Sequence, residues 1–246
     1  MFGLSPKPPV SDEISHWVDD GFKRLAKMLG HERMLNAQVV LPNDHFFPDA
    51  YNGSKAAAIA MAERIATYMG VAHGSFSVEL YAENETAWRE SVPLWHGETS
   101  DAAGLYFHKP EEGRLLVGIH ADQLADPLSL GATLAHELAH VVLLGGGLLD
   151  ADTPDMEPMT DLCTVFLGMG VISATAAYQF KQWTNTGTQG WSTRRTGYLP
   201  EPLWGYALAR FAAERGERKP EWAKGLSRNI RPYFDQSARW IERNSR

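Results

Sequence analysis

"LGATLAHELAHVVLLGGG", Leu130 to Gly147, sets the reading of the whole chain. It is a long apolar run that contains one glutamate and two histidines. Asp126-Pro127 opens it, and a glycine triplet stops it. Proline is favoured at the first helical position and glycine just past the last, so the run reads as one helix from about Pro127. The triplet also interrupts the run before it reaches the ~20 apolar residues of a membrane span.

Inside this helix His136, Glu137 and His140 form H-E-x-x-H. Positions four apart lie about 40° from each other around a helix axis, so both imidazoles address one point in space. Glu137 sits about 100° round from His136, placed to act on a water without holding a metal itself. Zinc suits the pattern: it brings the pKa of a water to around neutrality, and a neighbouring carboxylate takes the proton. The competing reading is a core helix whose histidines are simply packed. Chance gives the pattern in roughly one chain of this length in a hundred, so the surroundings decide. Leu134, Ala135, Leu138, Ala139 and Val141 flank the three residues. Two histidines and a glutamate in so apolar a helix are costly to bury without a metal or hydrogen-bond partners.

Zinc needs a third protein donor, with water in the fourth place. No histidine follows His140, which leaves the downstream carboxylates Asp150, Asp152, Asp155, Glu157 and Asp161. Glu157 and Asp161 are four apart at the start of the next apolar helix, "MEPMTDLCTVFLGMG", and share a face. Glu157 can then bind the metal while Asp161 orients His136 through its far ring nitrogen. The reverse assignment, with Asp161 as the direct ligand, stays open at this level.

Together, "HELAH" and "EPMTD" resemble the gluzincin metallopeptidases, whose pattern is H-E-x-x-H followed by E-x-x-x-D on a later helix. The resemblance covers about residues 114–178. It implies a zincin-like domain with one Zn2+ per chain, held by His136, His140 and Glu157. It further implies Glu137 as general base, Asp161 as the carboxylate behind a ligand histidine, and a peptide or protein substrate.

Composition sets outer bounds. The chain has 246 residues, 44% hydrophobic and 22% charged, with a formal net charge of −7. That length can bury a substantial core, and the acidic balance argues against a nucleic-acid partner. One cysteine, Cys163, permits neither an intramolecular disulfide nor a cysteine-based zinc cluster, and fits a reducing compartment. The first residues, "MFGLSPKPPVSDEISHW", lack the basic and apolar regions of a secretory signal, so the expectation is a soluble, cytoplasmic protein without a membrane anchor.

Along the chain, Ser11 and Ser54 are placed to cap helices reaching about Met28 and Met69, an N-terminal helical part spanning about 11–70. "SFSVELYAE", "AGLYFHK" and "GRLLVGIH" read as strands, the last two joined as a hairpin. Either hairpin strand could take an extended peptide at its edge. One apolar helix is expected from about Met156 to Tyr178, then a long polar loop, then helices over about Glu201–Arg215 and Pro220–Arg243. The expected fold class is α+β, predominantly helical, as a single domain over 1–246 with a small sheet preceding the H-E-x-x-H helix.

Hydrolysis of a peptide builds an oxyanion, which a side chain beyond the metal often stabilises. In "STRRTGYLPEP" Tyr198 is the candidate for that role, and Arg194 and Arg195 are candidates for binding a substrate carboxylate. The alternative function is a non-catalytic domain in which zinc is structural or sensory. His120 and His45 could face the cleft but are read as surface or packing residues, and Cys163 as a packed thiol.

Overall fold

A computed structural model describes residues 7–81, 104–109, 114–150, 153–184 and 199–244, with backbone alone for 104–109 and 178–184. Ser11 Oγ accepts the Ile14 N–H at 3.3 Å and starts helix α1, Asp12–Leu29. A short helix α2 follows at His31–Leu35. Ser54 Oγ accepts the Ala57 N–H at 3.1 Å and starts α3, Lys55–Met69, which Gly70 ends in the left-handed conformation. Both serines act as expected, because a side-chain oxygen replaces the missing helical acceptor for a first-turn N–H.

Strands β1 (Phe76–Tyr81), β2 (Gly104–Lys109) and β3 (Arg114–His120) form one three-stranded sheet in the order β1-β3-β2. β3 is parallel to β1, with Val78 opposite Val117, and antiparallel to β2, with Tyr106 opposite Val117. Burial explains the order. β3 is buried continuously from Leu115 to Ile119, as its unbroken apolar run requires, whereas β1 alternates buried and half-buried positions. Because β3 is central, both its edges are already paired. "GRLLVGIH" is therefore not a strand that could accept an extended peptide, and of the two hairpin strands only β2 lies at an edge.

After a 3-10 turn at Ala121–Ala125, Asp126 caps α4, Pro127–Leu143. Its Oδ1 accepts the N–H groups of Leu128 and Ser129, and Pro127 occupies the first turn. α4 is the hub of the molecule: it packs against α3, β2 and β3, and against α5 (Met156–Phe166) and α6 (Gly170–Thr184). Its Leu130, Leu134, Leu138 and Leu143 are fully buried. α7 (Glu201–Glu214) and α8 (Ile230–Asn244) pair closely at the C-terminus, and α7 also touches α1, α5 and α6. The result is a predominantly helical fold with a small mixed sheet before α4. No described helix is long and apolar enough to cross a membrane.

Two expectations fail in instructive ways. The single apolar helix expected over about 156–178 is two helices, α5 and α6, separated at Leu167–Met169. Gly168 has φ +89°, and its carbonyl accepts the Val40 N–H at 2.9 Å. A β-carbon on Gly168 would lie 2.2 Å from the Gln38 carbonyl oxygen. The break is thus set by a distant chain segment packed against the turn, where hydropathy runs on without a gap. The second failure is the last helix. In place of one helix over about 220–243 there is a 3-10 turn, Glu221–Gly225, and then α8. Gly225 lies against Leu41, where a β-carbon would come within 3.0 Å.

Gly168→Ala combines a left-handed backbone with a backbone clash. It should cost clearly more than the ~1–2 kcal/mol typical of an alanine in the left-handed region. Gly216, at φ +69° with nothing within 4 Å of a built β-carbon, is the control. Gly216→Ala should show only the conformational cost in urea unfolding, and equal losses for the two variants would contradict the packing argument.

Candidate metal centre

The site lies where α5 crosses α4. Its first two members, His136 and His140, are one turn apart on α4, their ring centroids separated by 4.8 Å and their planes near perpendicular. Glu157 comes from the first turn of α5, where its charge complements the helix N-terminus. The backbone at Asp155, φ +60°, turns the chain into that helix, and Pro158 fits its first turn without needing an N–H donor.

Glu157 faces both rings. Its Oε2 lies 2.9 Å from His136 Nε2, and its Oε1 lies 3.5 Å from His140 Nε2. One ligand atom from each of the three residues falls within 4.8 Å of the others. A tetrahedral zinc with bonds of ~2.0–2.1 Å holds its donors about 3.4 Å apart, and the two separations, made to different oxygens of Glu157, are close to that spacing. Two imidazole nitrogens and one carboxylate are also a donor set that zinc accepts. The residues present fit a metal ion.

Each ring is held from behind. Asp161 Oδ1 lies 2.8 Å from His136 Nδ1, and its Oδ2 accepts the Leu199 N–H at 2.9 Å. Asp161 is itself fully buried. Thr160 Oγ1 lies 3.3 Å from His140 Nδ1. Both histidines therefore turn Nε2 toward Glu157, because Nδ1 is engaged elsewhere. Asp161 addresses Nδ1 of His136 and Glu157 addresses Nε2, so the two carboxylates lie on opposite sides of that ring.

The charges are strongly coupled. Burial disfavours a charged His136, but hydrogen bonds to Asp161 and Glu157 outweigh it and hold the ring well above its ordinary pKa. Partial desolvation pushes against ionised Glu157, whose side chain is half-exposed, yet hydrogen bonds from His136 and His140 dominate and place it below the usual carboxylate range. Asp161 is raised by burial, with His136 and the Leu199 N–H pulling the other way. Glu137 is buried beside the site, and desolvation raises it against the opposing pull of His140 and His136.

The chain thus brings together His136, Glu137, His140, Glu157 and Asp161, all anticipated from spacing. Thr160 and the Leu199 N–H were not anticipated. The available signal for Thr160 was a threonine one residue before Asp161 in a largely apolar helix; for Leu199 there was none. Tyr198, Arg194, Arg195 and Asp152 lie outside the described residues. His120 Nδ1 accepts the Asp122 N–H and its ring packs on Tyr81, His45 packs on Phe46, and Cys163 is a buried thiol pushed up to about 12. No family model, curated protein or solved structure matches the chain, so the gluzincin resemblance rests on the two motifs alone.

Asp161 and Glu157 favour the protonated form of the His136 ring, whereas a metal needs its Nε2 lone pair. Uptake of Zn2+ should therefore release about one proton from this ring, leaving the Nδ1 contact to Asp161 in place. The apparent affinity then rises with pH until the raised pKa of His136 is passed, and flattens above it. Calorimetric titrations in buffers of different ionisation enthalpy count the protons, and zero release near neutrality would contradict the assignment.

Proposed function

We propose that the chain is a zinc-dependent hydrolase, a gluzincin-type metallopeptidase on a zincin-like domain. His136, His140 and Glu157 hold one Zn2+. The observation that carries the reading is the convergence of two Nε2 atoms and one carboxylate at the crossing of α4 and α5, with both Nδ1 atoms engaged behind. A bound zinc ion supplies Lewis acidity, easing the ionisation of water and offsetting charge on a carbonyl oxygen.

The chain's own groups do the remaining work. Glu137, next to His136 in sequence but not part of the donor set, takes the proton from the attacking water and passes it to the leaving amide nitrogen. Its burial removes the competing water that would weaken this exchange. Asp161 holds the His136 ring in the orientation that offers Nε2. β2 lies beside α4, and no strand pairs with its outer edge among the described residues. An extended peptide can add to that edge by main-chain hydrogen bonds, which suits a peptide or protein substrate. Tyr198 as the oxyanion partner and Arg194 and Arg195 as substrate-carboxylate binders complete the proposal on sequence grounds. A non-catalytic zinc domain of structural or sensory role is the rival, and Glu137 separates the two.

Purified protein should contain about one zinc per chain by elemental analysis, and His140→Ala should lose it. Glu137→Gln should keep the zinc while cleavage of a proteome-derived peptide library, read by mass spectrometry, falls by at least ~100-fold. Zinc retained in both wild type and Glu137→Gln, with no peptide cut by either, would favour the structural or sensory role.

A further inference from the structure

The fully buried Thr160 sits between α5 and the second histidine of the site. Its single hydroxyl proton has two neighbours to choose from. Met156 O lies 2.9 Å away, and His140 Nδ1 lies 3.3 Å away. A carbonyl oxygen can only accept, so the shorter contact directs the Thr160 hydroxyl proton toward Met156 O. The Thr160 oxygen then offers only lone pairs to His140, and Nδ1 must carry the hydrogen that meets them. With a hydrogen on Nδ1, Nε2, the atom that faces Glu157, is the nitrogen that can give up its own hydrogen and offer a metal its lone pair.

We infer that Thr160 is a positioning residue for metal binding: through its hydroxyl, locked to Met156 O, it selects the Nδ1–H tautomer of His140 and holds Nε2 open to the metal. Asp161 does the corresponding work for His136 through a charge. Thr160 does it with a neutral group, which orients the ring without adding a second buried carboxylate to a helix that already carries Asp161 and Glu157. The two neighbours in sequence, Thr160 and Asp161, thereby serve the two histidines one turn apart on α4. This inference rests on the metal-centre reading above.

The test compares zinc affinity in the full chain, measured by competition with a chelating indicator, for wild type, Thr160→Val and Thr160→Ser. Valine keeps the shape and removes the hydroxyl; serine restores it. The expected result is a zinc affinity weakened ~10–100-fold in Thr160→Val and within about threefold of wild type in Thr160→Ser. A lowered melting temperature in Thr160→Val with unchanged zinc affinity would mean a structural role only and would overturn the inference, while the metal site would stand. Failure of wild type to bind zinc would overturn both. If Thr160→Val does not fold, nitrogen-15 spectra of the zinc-loaded wild type decide. His140 should show a slowly exchanging proton on Nδ1 with Nε2 metal-shifted, and a bare Nδ1 would sink the idea.

Discussion

The buried carboxylate of Asp161 is the interaction on which the site depends. Its side chain is only 1% exposed, and both oxygens are engaged, one by His136 on α4 and the other by the backbone N–H of Leu199. An unpaired carboxylate at such a position would cost several kcal/mol, so the pairing constrains everything that supplies a partner. α5 must cross α4 in the register that brings Asp161 behind His136. The chain leading into α7 must return close enough to α5 to offer Leu199. The same register places Glu157, one turn earlier, in front of both rings. One buried charge thus ties together three parts of the chain that lie far apart in sequence.

Much of this was legible before any coordinates. The starts of α1, α3 and α4 follow from Ser11, Ser54 and Asp126, whose side chains close the first turn locally. Such caps need only a few neighbouring residues, and so they survive reading one residue at a time. The H-E-x-x-H and E-x-x-x-D spacings were legible for a similar reason, since helical periodicity alone puts each pair on one face.

What was not legible depends on contacts between distant segments. The apolar stretch from Met156 onward carries no polar interruption at Leu167–Met169, yet the helix breaks there because Gly168 packs against the Gln38 backbone. The order β1-β3-β2 likewise puts the most apolar strand in the centre and excludes it as an open edge, a fact of pairing that the strand's own residues do not state. Thr160 belongs to the same class. A threonine in a helix usually bonds the carbonyl one turn back, and Thr160 does so. Its second contact exists only because α4 lies alongside.

The donor groups are held by contacts among themselves, and their charges explain why. Asp161 and Glu157 favour a proton on the His136 ring between them, and that ring in turn favours the ionised form of Glu157. That proton supplies part of the positive charge that otherwise leaves Glu157 and Asp161 repelling each other across the ring. A metal in its place would supply positive charge between the same two carboxylates, with Nδ1 of each ring still engaged behind. The packing of the rest of the fold does not involve these groups. α4 is buried through Leu130, Leu134, Leu138 and Leu143 against neighbouring helices and the sheet, contacts that involve no donor atom. Small zinc domains fold only when the metal arrives because they lack such a core. Here the two helices that carry the donors pack through an apolar core, so a metal ion would bind at a crossing whose packing does not depend on it.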